Sequence, residues 1–299
     1  MIAVVCHDAG GAEIVSSWLL HKGHSFKAIL EGPAVSIFGK KFPKLIKSSS
    51  LKDSINKCDW ILCGTSWQSE IELQAITLGR NLGKKSISVL DHWVCYKERF
   101  LRGRKLILPD EIWVCDEEAK KIAEENFDGI IISEILNYYL EDLKKIILEG
   151  QKKLIQERPP KGIRVLYICE PLGEQALLQH GNDRHWGYNE FDALEYFIRN
   201  IKSIYSDVDQ ITLRLHPAEK EGKYKGVMQK YPNWLKMGVN IPLIEQVNHF
   251  DVLVGCESMA MIIGLMAGKR VISCIPPEGE KCILPHKKIE HLRDFTATI

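Results

Sequence analysis

Arg214-Leu215-His216-Pro217-Ala218-Glu219 follows a short β-type run, Gln210 to Leu213, in the second half of the chain. These six residues supply a cation, an imidazole, a proline suited to the first turn of a helix, and a carboxylate. They stand where a strand should end and a helix begin. In open α/β sheets the carboxyl ends of the strands are where ligands bind. A second loop of the same kind, Gly255-Cys256-Glu257-Ser258, comes one strand–helix cycle later. Together the two loops imply a pocket for an anionic ligand.

Around these loops the pattern is strand, loop, helix. Ile163 to Ile168, apolar but for Arg164, is a strand-like run ending in Cys169-Glu170-Pro171. A polar loop, His180 to Gly187, precedes a helix with Phe191, Leu194, Phe197 and Ile201 on one face. Beyond His216-Pro217 the spacing predicts a helix, a short strand near Val239 and a helix from Pro242. Val252 to Val254 is the next strand. An almost wholly apolar helix, Met259 to Met266, should start at Ser258 and lie buried. Val271 to Ile275 reads as the last strand, broken by Pro276-Pro277.

The first half repeats the scheme. Ile2 to Cys6 ends in His7-Asp8-Ala9-Gly10-Gly11-Ala12 and a helical pattern, the opening of a doubly wound domain. Further strands are expected at Phe26–Leu30, Trp60–Cys63, Ser86–Leu90, Glu111–Cys115 and Ile130–Ile132. An amphipathic helix through Leu154 ends at Arg158-Pro159-Pro160-Lys161-Gly162, which reads as a linker. Two α/β domains are therefore expected, residues 1–158 and 159–299, facing each other across a cleft.

Bulk properties agree. A chain of 299 residues, 45% hydrophobic and 26% charged, suits two ordinary domains. A net charge of +1 makes no electrostatic case for nucleic acid. The longest apolar runs are far short of a membrane span, and the N-terminal segment reads as a strand rather than a signal peptide. Nine scattered cysteines with no C-x-x-C spacing read as reduced thiols in a cytoplasmic protein and give no zinc site.

The strand-end residues are the candidates for chemistry. His216, beside Arg214, is placed to hydrogen-bond or protonate a phosphate. Ser258 can cap its helix and, with the free N–H groups there, hold the same phosphate. Glu257 suits ribose hydroxyls, and Glu170 stands at the edge of the same site. In the first half, Asp8 and Asp91 are candidate bases, Asp8 ahead because Gly10 and Gly11 let a ligand approach closely. His7, His92, Glu98 and Arg99 are candidate substrate contacts. The plainer alternatives are a solvated histidine, a simple cap and surface salt bridges.

The first loop His7-Asp8-Ala9-Gly10-Gly11-Ala12, the His216-Pro217 pair with Glu219, and Ser258 ahead of Gly268-Lys269-Arg270-Val271-Ile272 resemble bacterial GT-B glycosyltransferases of capsule and lipopolysaccharide synthesis. The similarity is nearest to sialyltransferase-like and other nonulosonate transferases. The resemblance implies two Rossmann-like domains and a cytoplasmic enzyme with no cofactor. It also implies a nucleotide-sugar donor, CMP-linked in that group, and a glycan acceptor. Membrane association would be peripheral, through the acceptor. His216, Pro217 and Ser258 then take the donor phosphate, and an acidic residue of the first half is the base. Transfer is expected to be metal-independent. The chain departs from the group in having no acidic pair followed by glycine and a single serine at Ser258, so a UDP-sugar donor stays open. So does a sugar-nucleotide epimerase on the same fold, and a non-enzymatic nucleotide-sugar-binding partner.

Overall fold

A computed structural model describes residues 1–45, 50–154 and 162–296. The chain forms two compact units, Met1–Asp142 and Leu143–Ile299. The boundary expected between residues 158 and 159, with its linker at Arg158-Pro159-Pro160-Lys161, lies outside the described residues.

The first unit carries strands β1 (Ile2–Cys6), β2 (Phe26–Leu30), β3 (Trp60–Cys63), β4 (Lys85–Val89), the small hairpin β5 (Leu101–Arg102) and β6 (Lys105–Leu106), β7 (Glu111–Val114) and β8 (Ile131–Glu134). Its helices are α1 (Ala9–Lys22), α2 (Ala34–Lys41), α3 (Leu51–Asn56), α4 (Ile71–Asn81) and α5 (Glu117–Asn126). The division between units falls within α6 (Tyr138–Leu154). Six strands form one parallel sheet in the order β2-β1-β3-β4-β7-β8. Every residue of β1 is buried, as expected of a parallel strand covered on both faces.

The second unit repeats the architecture with β9 (Ile163–Ile168), β10 (Val208–Arg214), β11 (Leu235–Met237), β12 (Val252–Gly255), β13 (Arg270–Ser273) and β14 (Ile289–His291). Helices α7 (Leu172–His180), α8 (Glu190–Asn200), α9 (Lys225–Lys230), α10 (Leu243–Gln246), α11 (Ala260–Met266) and α12 (Leu292–Thr296) accompany them. This sheet is also parallel, in the order β11-β10-β9-β12-β13-β14. In each sheet the chain winds outward in one direction and then in the other. The reversal opens a crevice at the strand ends, between β1 and β3 in the first unit and between β9 and β12 in the second.

Three expectations need correction. Pro217 does not open a helix. Residues 215–224 stay in turns, and α9 starts only at Lys225. The reason is Glu219, whose N–H donates to the His216 carbonyl while its carboxylate accepts the His216 N–H, closing a tight turn. The apolar helix starts at Ala260 rather than Ser258 and is only partly buried, and Met259, just before it, is exposed. Finally, Val271–Ile275 is not the last strand, since β14 adds an edge strand paired to β13. Among the described residues no helix is long and apolar enough to cross a membrane.

Leu62 in β3 is fully buried, whereas Leu178 in α7 is 87% exposed. Truncating Leu62→Ala should cost about 2–5 kcal/mol. Leu178→Ala should change stability by less than about 0.5 kcal/mol. Urea unfolding of the two variants checks the assignment of the core.

Candidate functional site

In the first unit, β1 delivers His7 and Asp8 to the switch point, and β3 delivers Gly64, Thr65, Ser66 and Trp67 beside them. Asp8 precedes α1 but does not cap it. Its carboxylate turns to the neighbouring loop instead. Oδ1 accepts the Ser66 hydroxyl at 2.7 Å and the His7 Nδ1–H at 2.6 Å, and Oδ2 accepts the Trp67 N–H at 3.1 Å. Burial works to raise the Asp8 carboxyl, but these hydrogen bonds outweigh it and hold it below the usual carboxylate range. The Ser66 hydroxyl also accepts the Gln68 and Ser69 N–H groups, both at 3.0 Å, which fixes the loop.

Asp91, at the end of β4, meets the same loop from the other side. Its Oδ1 accepts Arg99 Nη1 at 2.8 Å, and Arg99 Nη1 also donates to the Thr65 hydroxyl at 3.0 Å. Arg99, a candidate substrate contact, is buried in an internal ion pair, which also sets aside the plainer alternative of a surface salt bridge. The Arg99 guanidinium carbon lies 5.4 Å from the centroid of the Trp67 ring, and Trp67 is 53% exposed. Gly10 and Gly11 allow close approach, but the chain itself uses the space. A Cβ at Gly10 would overlap the Asp91 carboxylate, and one at Gly11 would lie 3.0 Å from Gly64 Cα. The start of α1 therefore has a carboxylate of its own against it. His92 is partly buried, which lowers its pKa, and Glu98 is exposed.

Glu72 of α4 lies beneath these residues and was not foreseen from sequence. Its Oε1 accepts the His7 N–H at 2.8 Å, and its buried Oε2 has no partner among the described residues. Burial pushes its pKa up to about 7.

The second unit is built in the same way. Glu170, after β9, reaches the loop after β12 and accepts the Cys256 N–H at 2.7 Å and the Glu257 N–H at 3.3 Å. Burial pushes Glu170 up to about 7, against the pull of those N–H groups and that of Ser258. Backbone donors expected to be free for a ligand's phosphate are thus engaged by Glu170. Ser258 Oγ accepts the Ala260 N–H at 3.2 Å, a local cap despite the later helix start. Burial also raises Glu257.

His216 lies at the end of β10, two strands from β12, so the two loops stand about 10 Å apart. Its Nδ1 accepts the Ala218 N–H at 3.1 Å, which assigns the proton of the neutral ring to Nε2. The loop rests on Glu219, whose side chain is fully buried. Glu219 Oε1 accepts Lys223 Nζ at 2.9 Å and the Tyr224 hydroxyl at 2.8 Å. Lys223 also pairs with Glu190 and, at 3.2 Å, with Glu174. Arg214 Nη1 donates to the Ile241 carbonyl at 2.8 Å and to Gln246 Oε1, bracing the loop rather than extending from it. Pro217 is exposed.

Among the described residues no three His, Cys, Asp or Glu side chains are placed to share a cation. One D-x-D triplet does stand in the chain, Asp207-Val208-Asp209. It lies at the amino end of β10, opposite to the candidate loops.

No protein-family model matches the chain, and no curated protein matches it in sequence. Solved structures do. The UDP-GlcNAc 2-epimerase of Methanocaldococcus jannaschii superposes with a TM-score of 0.56 at 10% identity, over 91% of this chain and 83% of that one. A Listeria monocytogenes protein provisionally assigned as a UDP-N-acetylglucosamine 2-epimerase gives 0.55 at 13% identity, over 91% and 78%. The wall teichoic acid polymerase TagF matches more loosely, with a TM-score of 0.43 at 12% identity over 91% and 69%. The chain has the fold of two Rossmann-like domains, of the GT-B type.

Two measurements test this description. Asp91→Ala leaves the Arg99 charge buried without its partner and should cost about 3–5 kcal/mol in chemical unfolding. Glu72 and Glu170 hold their protons up to about pH 7 when folded, above the ordinary glutamate value of about 4.3. The folded chain binds these protons more tightly than the unfolded chain. The stability they contribute is therefore present below about pH 4.3 and lost as pH rises through about 7. The thermal midpoint should fall between about pH 5 and about pH 8, and fall less in Glu72→Gln.

Proposed function

We propose that the chain is a GT-B glycosyltransferase of surface-polysaccharide synthesis. In this reading the second unit holds a nucleotide-sugar donor and the first holds a glycan acceptor. The observation that carries it is the polar cluster at the switch point of each sheet, where α/β folds take their ligands. A UDP-linked sugar is the donor favoured, because UDP-GlcNAc names the ligand class of the structural neighbours. The CMP expectation rested on the resemblance of the His216-Pro217 pair to sialyltransferase-like transferases, and these structural neighbours do not support it.

The reaction assigned to these residues is direct. His216 Nε2–H donates to a phosphate oxygen of the donor and stabilises the charge that develops as the sugar leaves. Ser258 supports the same group, and Glu257 takes ribose hydroxyls. For the nucleotide to use the Cys256–Ser258 backbone donors, Glu170 must move aside or share them. In the first unit the acceptor hydroxyl loses its proton to a base at the β1 end. Trp67 offers an exposed ring there for a sugar to stack on. Membrane association, in this reading, is peripheral and made through the acceptor.

One observation favours a second reading, a UDP-N-acetylhexosamine 2-epimerase. Glu170 keeps its proton up to about pH 7, which suits proton exchange at a sugar ring. Incubation with UDP-N-acetylglucosamine separates the two. The transferase releases UDP only when a saccharide acceptor is added, whereas an epimerase forms the C2 epimer without acceptor. Release of CMP from a CMP-sugar under the same conditions would restore the CMP donor. If none of these nucleotide sugars binds in calorimetry, the reading falls.

A further inference from the structure

We propose that His7 is the base that takes the acceptor proton, and that Asp8 is its positioning residue. The inference rests on the transferase reading above and sharpens the first unit's role in it.

The carboxylates near the β1 end are committed elsewhere, Glu31 among them by accepting the Ser69 hydroxyl at 3.1 Å. Asp8 accepts three hydrogen bonds, from His7, Ser66 and Trp67, and would have to give them up to bind a proton. Those same bonds hold its pKa low, so it is a weak base. Asp91 is paired to buried Arg99. Glu72 is 3% exposed and turned toward the His7 backbone. Ser66 donates to Asp8 at 2.7 Å, and its longer contact to His7, 3.4 Å, is to the Nδ1 that carries the proton, so the imidazole does not activate it as a nucleophile.

His7 is different. Its Nδ1–H points at Asp8 Oδ1, 2.6 Å away, and the Asp8 carboxylate selects that tautomer. The lone pair then lies on Nε2, which has no hydrogen bond among the described residues. A Cβ at Gly32 would come within 2.6 Å of Nε2, so the bare glycine is what lets the ring lie there, and the His7 side chain keeps 14% of its surface exposed. Gly32 has φ +47°, a conformation that glycine adopts freely. The charged groups around His7 are Asp8 on the ring, Glu72 on its backbone N–H, and Glu31, which precedes the Gly32 packed on the ring.

The step balances without a co-reactant. The acceptor O–H proton passes to Nε2 as the acceptor oxygen bonds to the anomeric carbon. The bond from that carbon to the phosphate oxygen breaks, and its electron pair leaves on the nucleotide phosphate. The imidazolium, stabilised by Asp8, then returns its proton to water.

The test uses the full chain, with UDP-N-acetylglucosamine and a saccharide acceptor that supports UDP release by the wild type. His7→Ala should lower kcat by about 100-fold or more, with the donor KM changed by less than about threefold. Added imidazole should restore part of the activity of His7→Gly, but none to Asp8→Asn. Asp8→Asn should lower kcat with the donor KM changed by less than about threefold, the split expected of a residue that positions the base. Circular dichroism and UDP binding monitor the fold of each variant. If a folded His7→Ala keeps more than half of the wild-type kcat, or imidazole rescues nothing, His7 is not the base. If the wild type releases no UDP with any acceptor, the transferase reading itself fails, and this inference with it.

Discussion

In each sheet the carboxylate that ends the first strand is bonded to the loop that ends the strand across the switch point. Asp8, after β1, binds Ser66 and the Trp67 N–H after β3. Glu170, after β9, binds the Cys256 and Glu257 N–H groups after β12. A reversal of winding leaves the strand ends at that point with no covering connection, so the loops there need side chains to hold them. The same two carboxylates therefore shape the loops and line the crevices.

The electrostatic outcomes of the two bridges differ. Asp8 draws on a hydroxyl and an imidazole N–H as well as a backbone N–H, and its charge is favoured. Glu170 draws only on backbone donors in a more desolvated position, and its proton is retained up to about 7. One crevice thus presents a fixed anion that orients a histidine. The other presents an acid that can change state near neutral pH. This asymmetry fits a division of labour between proton removal and nucleotide binding.

Much of the fold was legible. Runs such as Ile2–Cys6, Trp60–Cys63 and Val165–Ile168 are apolar throughout because both faces of a parallel strand are buried, and they mark strands. The strand-end rule then places Asp8, Asp91, Glu170, Glu257 and Ser258 at the carboxyl edges. What the sequence hides is which edges are neighbours. Ser66 partners Asp8 only because β3 inserts beside β1, across 58 residues of chain. Local rules also failed where side chains reached back. Glu219 captures the His216 N–H and prevents the helix that Pro217 would begin. Strand β14 is three residues long and carries Glu290, which pairs with Arg270 of β13, so no apolar run announces it.

The central claim is that the second unit's switch point takes the nucleotide, through the loops at 214–219 and 255–260. Hydrogen–deuterium exchange of the full chain with and without UDP tests it most directly. The account predicts slower exchange of backbone amides in those two loops and in the segment around Glu170. Protection confined to other parts of the chain, with these loops unchanged at saturating UDP, would contradict it.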